Sequence, residues 1–207
     1  LPFEDLLKQA LLHDKEGKWY CFIQILESIK KNKTNLTPIQ ICHFNLACAE
    51  YFTLHQTYDS AGLYATEAKV KAGEKHWRNE EAKALLFLSS GASKQRNISA
   101  AYTWADSALT ITRQTGNTAL EAQILLQLAL CTRRHFTAVA NRSFPYFLMA
   151  REKALASGDS ITVATADLYL GADNFELNKW PEGQPYFKEG VALVIHQKNV
   201  YLNYLVY

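Results

Sequence analysis

The residues of this chain most able to bind a metal or attack a substrate are six histidines, at positions 13, 43, 55, 76, 135 and 196, and four cysteines, Cys21, Cys42, Cys48 and Cys131. Their spacing argues against both kinds of chemistry. No His-Glu-x-x-His and no Cys-x-x-Cys occurs, so neither pattern that places two metal ligands on one side of a turn is available. Cys42 and Cys48 share one helical stretch but are separated by about 240° around its axis, which keeps them from a common ion. No glycine-rich loop followed by Lys cradles a phosphate, and no Gly-x-Ser-x-Gly presents a nucleophile. Glu80-Glu81 is a carboxylate pair, but it opens a helix, where the helix dipole favours negative charge without catalysis. The sequence predicts no catalytic residues, no metal site and no cofactor, hence a protein that is not an enzyme.

Bulk properties narrow the remaining classes. The hydrophobic fraction is 48%, as for a folded chain. Lys and Arg number 22 against 20 Asp and Glu, and a net charge of +2 gives no electrostatic case for nucleic acid. No run approaches the ~20 apolar residues of a membrane span, and no secretory signal opens the chain. The four cysteines lie far apart inside apolar helical patterns, so they read as reduced core thiols. That places the chain in the cytoplasm, or outside it if it belongs to a membrane sensor. Four Asn-x-Ser/Thr matches, at Asn32, Asn35, Asn97 and Asn141, carry no weight without a secretory signal.

What must position any functional residue is a repeat. Ser143–Asp159 lies over Gly183–Asn199, with Pro145-Tyr146-Phe147 on Pro185-Tyr186-Phe187 and Ala150 on Gly190. Ala101–Asn117 and Tyr58–Glu74 fit the same frame, and a weaker copy starts at Glu16. The leading positions 19, 61, 104, 146 and 186 are separated by 42, 43, 42 and 40 residues, a period that means stacked helix pairs. Apolar spacing predicts helices over 1–14, 19–30, 38–54, 58–72, 78–94, 98–115, 118–134, 143–157, 160–177 and 184–197. Thr37-Pro38-Ile39-Gln40 reads as a capping box, Gly73 and Gly116 as helix stops, His135–Arg142 as the longest loop, and Asn178–Gly183 as a turn. Val200–Tyr207 reads as the opening of an eleventh helix. Small residues at Ala65, Ala108, Ala150 and Gly190 on the second helices should meet Leu-Gly or Leu-Ala on the first, Gly171 among them. Trp19, Trp104, Tyr146 and Tyr186 should then fill the gaps between pairs and dominate the energetics.

Leu170-Gly171, Trp180 and Gly190, with Gly-Asp or Gly-Asn stops, resemble the Leu-Gly, aromatic and small positions of tetratricopeptide repeats. The unit is longer than the usual 34 residues and is similar to the longer units of bacterial signalling regulators and kinesin light chains. The resemblance implies an all-α, right-handed superhelical solenoid of about five antiparallel pairs, one segment over 1–207, with units 1–33, 34–75, 76–117, 118–159 and 160–199. Both chain ends fall inside the pattern, as in a truncated piece of a larger regulatory protein.

The resemblance also implies that first helices line a concave, protein- or peptide-binding face. The polar stripe there is His43 and Glu50, then Lys83, Ser90 and Lys94, then Gln123, Gln127 and Arg134, with Leu86 beside it. Spacings of 4, 7 and 11 keep each set on one face. Lys83, Lys94 and Arg134 would make a cationic patch and call for acidic residues in the partner. A clamp for a C-terminal carboxylate, found in part of the family, is missing: only Lys83 fits, with Phe87 and aliphatic residues elsewhere. The leading function is a non-catalytic scaffold or sensory segment; the alternative is a small-ligand-sensing repeat domain coupled to a transcriptional or kinase output.

Overall fold

The computed structural model describes residues 3–15, 18–31, 35–135 and 140–196. Among them are ten helices and no strand: α1 (Phe3–Lys15), α2 (Trp19–Lys31), α3 (Pro38–Leu54), α4 (Tyr58–Glu74), α5 (Arg78–Lys94), α6 (Ile98–Thr115), α7 (Thr118–His135), α8 (Ala140–Ser157), α9 (Ser160–Glu176) and α10 (Trp180–His196). α1 lies against α2, and from α3 onward each helix lies against the next; α1, α3, α5, α7 and α9 also touch in succession, and α2 meets α3 through Phe22 stacked on Tyr51. The fold is thus a row of helix pairs.

Local chemistry sets the joints. Thr37 and Gln40 form the reciprocal capping box that starts α3, with Gln40 N–H on Thr37 Oγ1 at 3.4 Å and Thr37 N–H on Gln40 Oε1 at 2.9 Å. Four helices end in the same three-residue link, whose middle residue is left-handed although it is not glycine: Gln56, His76, Arg96 and Asn178, with φ of 60°, 57°, 64° and 58°. In each link the following N–H returns to the helix, as from Thr57 to Phe52 O and from Asn97 to Ala92 O, both at 2.9 Å. This satisfies carbonyls that the helix end leaves open. Gly116 and Gly158 take the left-handed position in the other described helix stops. Gly73 does not end α4, which runs one residue further to Glu74.

These joints give a half-unit of 20 residues from Tyr58 to Thr118, and first helices that begin at Pro38, Arg78, Thr118 and Ser160. The period is therefore 40, with one step of 42 where residues 136–139 join α7 to α8. The sequence alignment that paired Ala61 with Trp104 was out of register. In helix position Trp104, Tyr146 and Tyr186 are each seventh, and their counterparts are Ile25 and Tyr64. Trp19 opens α2, and its side chain lies outside the described residues. Likewise the eleventh position holds Ala68, Ala108, Ala150 and Gly190, while Ala65 belongs with Ala105, Phe147 and Phe187. Two helix starts also differ from expectation. α8 begins at Ala140, ahead of Ser143, and α10 at Trp180, where a turn was read. Pro181 then sits in a first turn, whose N–H groups need no intrahelical acceptor. Val200–Tyr207 lies outside the described residues.

The core runs the length of the row. Ala68, Ala108, Ala150 and Ala65 are fully buried, and alanine there lets helix axes close up. At the α9–α10 crossing even alanine is too large: a Cβ on Gly171 would stand 2.8 Å from Phe187 Cδ2, and one on Gly190 would stand 3.0 Å from the Ala164 carbonyl. The seventh-position aromatics Trp104, Tyr146 and Tyr186 are only half-buried. The large side chains with no exposure are their neighbours and partners, Phe22, Phe147, Ile124, Leu125 and Leu170. Phe147 stacks on Tyr169 at 5.1 Å between centroids.

Candidate functional site

A groove of about 400 Å³ crosses four first helices. α1 contributes Glu4, Leu7 and Leu11, and α3 contributes His43, Leu46 and Ala47. Glu80, Lys83 and Asn79 come from α5; Ala119, Leu120 and Gln123 come from α7, with Asn117 just before it. His43, Lys83 and Gln123 are each the sixth residue of their helix. One column of the repeat therefore lines one wall, and leucines make the floor.

The remaining expected site residues fall elsewhere. Glu50 lies outside the lining and holds Lys83, Oε2 to Nζ at 3.4 Å, while the Lys83 ammonium also sits 5.7 Å from the centre of the Phe87 ring. Leu86 packs into the core cluster around Leu85 and Leu125. Ser90 is half-buried and Lys94 exposed at the end of α5, and neither lines the groove. Gln127 is buried, its amide spent on Ser89 Oγ at 3.2 Å and Cys131 Sγ at 3.4 Å. Its side chain thus bridges α7 to α5, the first helix of the preceding pair, and is not among the groove's lining residues. Arg134 is in α7, but its side chain lies outside the described residues.

Two residues that the sequence reading did not place in the groove, Glu4 and Glu80, complete the site. His43 Nδ1 is 3.1 Å from Glu4 Oε1, and His43 Nε2 is 3.5 Å from Glu80 Oε1. One imidazole thus faces carboxylates from two other helices. The Glu4 contact is a hydrogen bond, and Glu80 stands at ion-pair distance on the other side of the ring. Glu80 had been explained by its place in the first turn of α5, where it does lie. Nothing in the sequence shows that α1 delivers Glu4 to the same ring. At the α7 end Gln123 donates to Asp159 Oδ2 at 3.0 Å, and Asn117 donates to Asn79 Oδ1 at 3.4 Å. Among the described residues the lining holds acid–base groups but no hydroxyl or thiol to act as a nucleophile. Beneath it, burial first and the nearby Glu80 second push the Cys42 thiol up to about 11, so it stays protonated and unreactive.

A second cavity, about 580 Å³, lies between α6, α7 and α8. Tyr102, Thr103 and Ile98 face Cys131, Thr132, Arg142 and Tyr146 across it. The Tyr102 and Tyr146 hydroxyls are 3.4 Å apart, and that bond, with burial, pushes the Tyr102 phenol up to about 12. Among the described residues no three His, Cys, Asp or Glu side chains converge as a metal-binding group. Nor is any helix there long and apolar enough to cross a membrane.

No family model matches the sequence, and no curated protein matches it. Among solved structures, the crystal structure of the apo form of RapI is similar, with 11% sequence identity and a TM-score of 0.71. The match covers 94% of this chain and 70% of that one. At that identity the likeness concerns architecture alone: the chain has a tetratricopeptide-like helical-repeat fold.

Proposed function

We propose that the chain is a non-catalytic binding scaffold whose first-helix groove holds a segment of a protein or a peptide, and that it serves as the interaction portion of a larger regulatory protein. The observation that carries this is the groove itself, in which a single repeat column, His43, Lys83 and Gln123, forms one wall over a leucine floor. Such a cleft gives apolar contact for affinity and a few fixed polar groups for orientation. In this reading the units 1–33, 34–75, 76–117 and 118–159 each give the groove one first helix, and the whole chain is one segment. Filling the groove tests it. Ala119→Trp, on a half-buried lining residue, should leave the helical content unchanged and abolish capture of the partner in a pull-down. A partner held equally well by both forms would move the site elsewhere.

The 580 Å³ cavity supports a second reading, a small-ligand sensor, because its mainly apolar walls end in two phenols and a guanidinium. Native mass spectrometry should then show an adduct that Tyr102→Ala removes. An adduct indifferent to that change would count against it.

A further inference from the structure

The groove's charges are not those that the lysines and arginine of the sequence foretell. Lys83 is already engaged, by Glu50 at 3.4 Å and by the face of Phe87. Lys94 stands outside the lining. Glu4 and Glu80, in contrast, converge on one ring, His43, at 3.1 and 3.5 Å. A single imidazole carries at most one positive charge, so at least one carboxylate's worth of negative charge is uncompensated in the groove whatever the ring's state. The Glu80 carboxylate is only 26% exposed, where charge is screened less than on the open surface. The floor beside it is Leu7, Leu46 and Leu120.

We infer that the groove takes a partner segment carrying a lysine or arginine between apolar residues, with the cation placed between Glu4 and Glu80 and the apolar neighbours on the leucines. This rests on the groove being the binding site. The ammonium or guanidinium would offset the negative charge that a single imidazole leaves, and the flanking side chains would cover the floor. Acidic segments would meet Glu4 and Glu80 with like charge, a mismatch that interfaces use to reject wrong partners. The molecule as a whole carries +2, so attraction of a basic peptide is a property of the groove and not of net charge.

The test uses three pools of acetylated, amidated heptapeptides with randomised apolar flanks and a central Lys or Arg, Gln, or Glu. Each is passed over the immobilised chain at physiological salt, and retention is read by mass spectrometry. Wild type should retain the basic pool about tenfold over the acidic one, the factor that roughly one partly buried ion pair supplies. Glu4→Gln with Glu80→Gln should erase that preference, and Glu4→Lys with Glu80→Lys should reverse it, with circular dichroism confirming the fold. Ala119→Trp should release all pools. If Ala119→Trp releases the peptides but the glutamate variants leave the preference intact, the groove is the site and the charge assignment is overturned. If Ala119→Trp releases nothing, or no pool is retained, the groove reading falls and this inference falls with it.

Discussion

Arg151 Nε donates to Asp167 Oδ1 at 2.6 Å, and the Asp167 side chain has no exposure to solvent. The same guanidinium reaches Glu189 at 2.7 Å, so one arginine on α8 ties together α9 and α10. Asp167 Oδ2, by contrast, meets no donor among the described residues. Six residues along α9, Asp173 is buried too, but both of its oxygens are used, by Arg133 at 2.7 Å and Ser143 at 2.8 Å.

The half-satisfied pair has a pH signature. Burial pushes the Asp167 carboxyl up to about 6, against the opposing pull of Arg151. Its native pKa then exceeds the unfolded one, so between roughly pH 4 and 6 the native state binds more protons than the unfolded chain. This group's contribution to stability therefore grows as pH falls through that window and is lost as pH rises through 6. Urea melts at pH 7 and 5 should show the Asp167→Asn variant with a weaker gain on acidification than wild type. An unchanged slope would assign the proton to another group.

Removing the arginine should be costly at neutral pH. Arg151→Met strands a buried carboxylate and should cost about 3–5 kcal/mol at pH 7. The loss should shrink at pH 5, where Asp167 takes up a proton instead. A pH-independent loss in denaturant melts would mean that only packing had been removed.

The α9–α10 crossing should tolerate no methyl group. A Cβ at Gly171 would meet the Phe187 ring and its own Cβ within 3.0 Å. Gly171→Ala should therefore destabilise by about 1–3 kcal/mol, although alanine is the better helix former. Gly62→Ala, where no atom lies within 4 Å, should stabilise by up to about 1 kcal/mol. Thermal melts of the two variants moving in the same direction would contradict the geometry.

The left-handed links are a reserve of stability. Arg96, with φ of 64°, holds a conformation that costs a side-chain-bearing residue about 1–2 kcal/mol. Arg96→Gly should recover about 0.5–1 kcal/mol after the added freedom of the unfolded chain is counted. A lower midpoint for this variant in urea would show that the Arg96 side chain contributes more than its backbone costs.

The thiols should separate by burial. Cys42, Cys48 and Cys131 are buried and Cys21 is half-buried, and none of the four is joined in a disulfide. A thiol reagent at pH 8 should label Cys21 first and the other three only on denaturation. Rapid native labelling of Cys42 would contradict its protonated, enclosed state.

The sequence carried the helices better than their register. Thr37-Pro38-Ile39-Gln40 and Gly116 act locally, through bonds spanning three or four residues, and local chemistry is legible in one dimension. The register was not, because α4 has Ala61, Ala65, Ala68 and Ala72 all buried on one face. With alanine at the fourth, eighth, eleventh and fifteenth positions, sliding the alignment by a few residues costs no match. Large anchors would have fixed it, but Tyr64, the true counterpart of Trp104, stands beside a small column that attracted the pairing. Trp180-Pro181 misled for a related reason, since proline ends helices and also begins them.

The common placement of three lining residues was readable column by column. His43, Lys83 and Gln123 fall together because a repeat brings equal positions to one face. Its charge was not readable. That depends on which side chains meet across helices: Glu50 on Lys83 over 33 residues, and Glu4 on His43 over 39. Such pairings are set by how pairs of helices stack, which the spacing within one helix does not encode.

The recurring links make the chain a set of interchangeable cassettes. Thr57, Trp77 and Asn97 each leave a left-handed residue and enter a helix with the same return bond. Cutting after Thr57 and rejoining at Ile98 would excise α4 and α5 while asking for no backbone conformation that the chain does not already use. Duplicating the same stretch would lengthen the row by one unit. A change in copy number by recombination of the gene would alter the length of the row while every joint is conserved, so the extent of the groove would vary separately from its side-chain chemistry.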